Sequence, residues 1–150
     1  KVLKSALDRW PSSRFHVVLG SGYKFESEMN AWISNSNLMK LGRVSIYRSL
    51  SPGELIRLMH QCETAITSPS GISLEYMCVG GALYLYKIAE NQSDQEKYCI
   101  QEGLAFQWNE TSPSNVEIRR ELERQEIIFD GRSGERLAKA IRSRVGRQLE

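Results

Sequence analysis

Residues 67–86 read TSPSGISLEYMCVGGALYLY, and KIAENQSDQ follows at 87–95. The stretch begins inside TAITS (64–68), a short β-branched run, and closes inside GALYLYKI (81–88), a more continuous apolar one. Runs of this length bounded by serine and glycine predict buried strands. The intervening GISLEYMCVG (71–80) contains no proline and is long enough for a crossing helix. Strand, helix, strand predicts a parallel pair. That unit sets the fold.

The same alternation runs outward in both directions. Upstream, KVLKSALDRW is a helix halted by Pro11, RFHVVLG a strand, SGYKF a turn, ESEMNAWISNSN a helix and GRVSIYR a second strand. In SPGELIRLMHQC, Ser51 stands at an N-cap position, Pro52 at the first helical position and Glu54 three residues after the cap, a capping-box pattern. Downstream, SDQEKYCIQEG is a helix closed by Gly103, with Asn91 or Ser93 as its cap, and LAFQW is a short last strand. Two amphipathic helices, SPSNVEIRRELERQE and SGERLAKAIRSRVGRQLE, flank IIFDGR. The expectation is an α/β fold: one Rossmann-like parallel sheet with helices on both faces and right-handed crossovers, as a single domain over 1–150.

Composition narrows the class. A chain of 150 residues with 41% apolar and 25% charged side chains can bury an adequate core. A net charge of +2 argues for neither nucleic acid nor a membrane surface as partner, and the late basic cluster reads as a solvated helix face. Cys62, Cys78 and Cys99 lie far apart, in no metal-binding spacing, which predicts reduced thiols and a cytoplasmic setting. No stretch is apolar enough to span a membrane. The chain starts at Lys1 and already in a helix, so it is expected to be a piece of a longer protein.

In an open α/β sheet, ligands bind beyond the carboxyl ends of the strands. There the first amides of the 71–80 helix, at Gly71 and Ile72, lack intrahelical partners and sit at the positive end of the helix dipole. Gly71 lets a phosphate approach the backbone, and Ser68, Ser70 and Ser73 add hydroxyl donors. Glu75, four residues after Gly71, lies near the same face. Its charge would repel a phosphate but suits a ribose diol. Asn91 and Gln92 follow the next strand and offer uncharged amides at the same end of the sheet. Together these residues describe a nucleotide site.

The segment SGISLEYMCVGGALYLYKIAENQSDQ resembles the nucleotide-binding part of the UDP-sugar hydrolases of pseudaminic acid biosynthesis. In that family a small-residue turn, S-x-E, a run to glycine, an apolar strand and A-[DE]-N-Q occur in this order. IIFDGRSGERLAKAI is similar to the family's closing D-G-x-G-x-E-R element, and RWPSSRFHVVLGSGY to its strand ending in a V-L-G turn. More distantly, the chain resembles the C-terminal domain of the peptidoglycan N-acetylglucosaminyl transferase, a protein of the GT-B architecture.

The resemblance implies the UDP-holding C-terminal half of a bacterial nucleotide-sugar hydrolase, acting on a UDP-2,4-diacetamido-2,4,6-trideoxy-hexose. The alternatives are the donor half of a GT-B glycosyltransferase and a non-catalytic nucleotide-binding module. It implies Ser70 and Gly71 at the phosphates, Glu75 on the ribose hydroxyls, and Asn91 and Gln92 toward the diphosphate and sugar. The backbone at Ser49 and Leu50 would meet the base. The partners implied are UDP or a UDP-sugar and an N-terminal domain that carries the catalytic base; no cofactor or metal is expected. Two departures stand out. The family's opening strand with its G-G-S-D-like loop is missing, and Gly81 occupies a position where the family often has proline. His16, inside a strand, and His60, at the end of a helix, have no carboxylate partner at a readable spacing, so no catalytic residue is assigned.

Overall fold

Pro11 ends the first helix because its ring denies the chain another helical turn, and the β-branched pair after His16 then favours an extended strand. The computed structural model describes residues 1–39, 41–109, 111–136, 138 and 139. They form α1 (Val2–Arg9), β1 (Phe15–Leu19), α2 (Glu26–Asn35), β2 (Val44–Arg48), α3 (Pro52–Met59), β3 (Thr64–Thr67), α4 (Gly71–Val79) and β4 (Ala82–Leu85). After a 3₁₀ turn (Glu90–Gln92) come α5 (Ser93–Gln101), β5 (Phe106–Gln107) and α6 (Asn115–Ile128). This is the α/β alternation expected. The strands pair in parallel throughout, as two sheets of two and three strands. The chain correspondingly divides into two units, Lys1–Pro52 and Gly53–Glu150.

In the first unit, β1 pairs with β2 from Phe15↔Val44 to Leu19↔Arg48. Buried Leu7, Ile33 and Val44 gather Leu3, Phe15, Val17, Met29, Trp32 and Ile46 into a core between both helices and one face of the strand pair. The alternate residues of β1, His16 and Val18, are exposed, and His16 Nδ1 lies 2.9 Å from the Tyr47 hydroxyl.

The second unit is the larger, with strand order β3-β4-β5. All four residues of the central β4 are buried, as a strand covered on both faces requires. Leu83 and Leu85 pack with Met59, Tyr76, Met77, Cys99, Leu104 and Ala105. The Tyr76 hydroxyl donates to the Cys62 carbonyl at 2.8 Å, and a Cβ at Gly81 would overlap that phenol, so glycine there makes room for the tyrosine. At the end of α5, Gly103 takes φ +64; its amide bonds to the Ile100 carbonyl and that of Leu104 to the Cys99 carbonyl. This paired closure is a Schellman cap, with buried Leu104 folded back on buried Cys99. Neither Asn91 nor Ser93 caps α5: the 3₁₀ turn intervenes, and the cap position falls on Gln92. All three cysteines are free.

Two features differ from the sequence reading around α6. The helix runs on through Ile127 and Ile128, which read as a separate segment. It also buries Glu121 and Gln125 while leaving Val116, Leu122 and Ile127 exposed. Glu121 Oε1 accepts from the Leu83 amide at 2.8 Å and from Gln125 Nε2 at 3.0 Å, and Gln125 Nε2 also reaches the Leu104 carbonyl at 2.9 Å. Beyond α6, Asp130 accepts from the Arg132 amide at 2.9 Å and from Arg136 at 2.7 Å, which closes the DGRSGER segment on itself. Most of the helix expected over SGERLAKAIRSRVGRQLE falls outside the described residues.

Burial pushes the Glu121 carboxyl up to about 8, against the smaller opposing effect of the Leu83 amide. Its ordinary value is 4.5, so between 4.5 and about 8 the folded protein holds a proton that the unfolded chain releases. Stability from this group is complete below the lower value, falls by up to about 1.4 kcal/mol per pH unit through the window, and is level above it. Glu121→Gln keeps an acceptor for Leu83 and cannot ionise. Urea unfolding from pH 4 to 9 should show the variant gaining on the wild type through that window; parallel curves would contradict the assignment.

Candidate functional site

The sheet of the second unit fixes where a ligand could enter. Strand β3 ends at Thr67, the Tyr86 amide donates to the Thr67 carbonyl at 2.8 Å, and both chains then turn away at the same edge. Ser68, Ser70, Gly71, Ile72, Ser73 and Glu75 follow β3 there, while Asn91 and Gln92 follow β4. The structure therefore brings eight of the ten expected residues to one carboxyl edge. Ser49 and Leu50 belong to the first unit, after β2. Ser49 has φ +51, a left-handed conformation uncommon for residues other than glycine and asparagine.

Serine chemistry shapes the turn. Ser70 is extended and precedes the helix as its cap; the Ser68 and Ser70 hydroxyls lie 3.1 Å apart. Ser73, fully buried, donates its hydroxyl to the Ser70 carbonyl at 2.7 Å and accepts from the Ser70 amide at 3.3 Å. Serines at the cap and three residues on satisfy helix-end backbone groups that would otherwise be orphaned. Ser73 is thus structural, whereas Ser68 and Ser70 are half-buried at the turn. The amides of Gly71 and Ile72, first in α4, have no intrahelical acceptor in any helix. Nothing stands within 4 Å of where a Cβ of Gly71 would be. Glu75 is exposed one turn further on.

Across the edge, the Gln92 side-chain carbonyl accepts from the Ile88 and Ala89 amides at 3.0 and 3.3 Å, so it braces its own loop. Asn91 is exposed beside it. Two further side chains complete the arrangement, and the sequence reading gave them no role. Gln95 Nε2 donates to the Ser70 carbonyl and to the Ser73 hydroxyl, each at 3.0 Å, and so ties α5 to the serine turn. Lys87 Nζ donates to the Ser93 hydroxyl at 3.1 Å and lies 3.5 Å from the Glu90 carboxylate. The available signal for Lys87 was its place directly after an apolar strand. Gln95, one polar residue among many in a helix, left none.

Of the two histidines, only His60 belongs to this unit, and it does not join this edge. His60 follows α3 and precedes β3, at the strand's amino end, and His16 lies in the first unit. Among the described residues, no group of three or more histidine, cysteine or acidic side chains is arranged to hold a metal ion. No helix among them is long and apolar enough to cross a membrane. No model of a known protein family matches the chain, and no curated protein matches it.

The open space at Gly71 gives a sharp test. Alanine fits there, so Gly71→Ala should leave the melting temperature unchanged or raise it, because alanine favours a helix by up to about 1 kcal/mol over glycine. Its methyl would obstruct any anion seated on the first amides of α4. A titration with UDP beside a thermal melt should show weakened binding by a protein no less stable; unchanged binding would exclude an anion from those amides.

Proposed function

We propose that the second unit binds the uridine diphosphate moiety of a nucleotide sugar, as the UDP-holding domain of a nucleotide-sugar hydrolase. The observation that carries the reading is the serine turn and unobstructed Gly71 at the carboxyl edge of a parallel sheet, tied by Gln95 to the segment after the next strand. Amides at a helix start favour a phosphate, through unpaired donors and the positive end of the dipole. Glu75, exposed and one turn along α4, is suited to accept both ribose hydroxyls. Asn91 stands beside the edge with an uncharged amide for the diphosphate or sugar. The resemblance of SGISLEYMCVGGALYLYKIAENQSDQ to the hydrolase family supplies the choice of UDP among nucleotides. The catalytic base and any other catalytic group are assigned to an N-terminal partner domain of the same full-length protein.

UDP, which binds the folded state, should raise the melting temperature by mass action, and more than CMP, ADP or GDP. Absence of any shift at millimolar UDP in a folded sample would sink the reading. Glu75→Gln replaces one acceptor oxygen with a donor and removes the charge. Charge-assisted hydrogen bonds contribute about 1.5–3 kcal/mol, so UDP affinity should fall roughly ten- to a hundredfold. With 2′,3′-dideoxy-UDP, which lacks both hydroxyls, the substitution should change little, and the double-mutant cycle between residue and ligand reads the coupling. Equal weakening of both ligands would remove Glu75 from the ribose.

With UDP-sugar supplied, this chain should release no UDP above the uncatalysed rate, since the edge assigns no general base. Turnover by this chain would move the chemistry into it.

A further inference from the structure

A diphosphate brings negative charge to an edge that already has its own. The charged side chains of residues 68–75 and 86–95 are three carboxylates, Glu75, Glu90 and Asp94, and a single cation, Lys87. Helix amides and hydroxyls provide only partial charges, so the ammonium is the group in these two segments able to neutralise a phosphate. Its position suits the task. Lys87 directly follows Tyr86, whose amide is bonded to the Thr67 carbonyl one residue before the serine turn. Ser93, which accepts from Lys87, lies two residues before Gln95, which holds the Ser70 carbonyl.

The present contacts of Lys87 are easily exchanged. One is a neutral hydroxyl at 3.1 Å. The other is a carboxylate at 3.5 Å on a Glu90 side chain that is 94% exposed. A pair so open to water contributes little. A phosphate seated on the α4 amides would offer the ammonium more charge and better geometry, and lysine's flexible stem permits the move.

We infer that Lys87 is the counter-ion of the diphosphate, exchanging Glu90 and Ser93 for phosphate oxygens, and that it makes this edge select charged nucleotides over the bare nucleoside. The inference rests on the UDP reading and adds to it a source of selectivity. Glu90 then acts as a competitor for the ammonium, holding Lys87 in the unliganded protein.

Calorimetric titration of the full chain with UDP, UMP and uridine tests it. Lys87→Met should weaken UDP by roughly ten- to a hundredfold and UMP by less, while uridine changes by less than about twofold. Lys87→Arg should retain most of the UDP affinity. Glu90→Gln should strengthen UDP binding severalfold at low salt and leave uridine alone, and that gain should shrink as salt screens the charges. Melts of each variant establish that it is folded. If the wild type binds UDP and Lys87→Met leaves that affinity intact, or weakens uridine equally, the inference fails while the UDP reading stands. If the wild type binds neither UDP nor uridine, both fall.

Discussion

The second unit depends on a rung of its sheet that the backbone does not make. In β4 the even-numbered residues turn their backbone groups toward β3, as the Ala82 and Tyr86 amides show, and the Leu85 carbonyl faces the other way and accepts from Trp108. Leu83 therefore points its amide toward β5, whose pairing begins only at Phe106. Glu121 and Gln125 fill the gap. The Leu83 amide donates to the Glu121 carboxyl, Gln125 donates to the same oxygen, and the same Gln125 nitrogen donates to the Leu104 carbonyl. Two side chains one helical turn apart so replace a peptide-to-peptide bond. A buried amide left without an acceptor would cost about 1–3 kcal/mol, more than most surface contacts contribute.

This arrangement explains why α6 packs with its polar residues inward. Leu122 and Ile127 point about 140° apart around the helix and both are exposed, whereas Glu121 and Gln125, one turn apart, are 2% and 1% exposed on the face that also carries half-buried Ile118 and Ile128. That face satisfies backbone groups at the point where β4 and the chain into β5 diverge. The cost appears in the carboxyl group itself, which burial keeps protonated at neutral pH. The Oε2 atom of Glu121 and the Oε1 atom of Gln125 find no protein partner there.

Strand polarity gives the two ends of this sheet different surroundings. The amino ends of β3 and β4 are occupied by fixed contacts: the Tyr76 hydroxyl on Cys62, glycine at 81 where a side chain would collide, and the Glu121–Gln125 pair. At the carboxyl ends, the helix that follows β3 starts with amides that have no intrahelical acceptor and with serines already arranged by hydrogen bonds. Such an edge is favourable for anions before any particular side chain is considered. Gln95 couples the two segments there, and Lys87 donates to Ser93 beside them.

The order of elements was legible in the sequence because it is written in local terms. Pro11 stops α1, TAIT and ALYL are both extended, ALYL buried and TAIT half-buried, and Gly103 closes α5 through a positive φ that glycine adopts without strain. The serine turn with Gly71 was legible for the same reason, since helix-start chemistry depends on residues three or four apart. Tertiary structure alone decided the rest. It divided the strands into two sheets and placed Ser49 and Leu50 in the first unit and the other expected site residues in the second. It also turned Glu121 and Gln125 inward, though a sequence reader would assign both to solvent. These outcomes hinge on partners 20 to 40 residues distant, such as Leu83 for Glu121 and Ser70 for Gln95. A local pattern records which groups a segment offers; only the folded chain determines which distant groups need them.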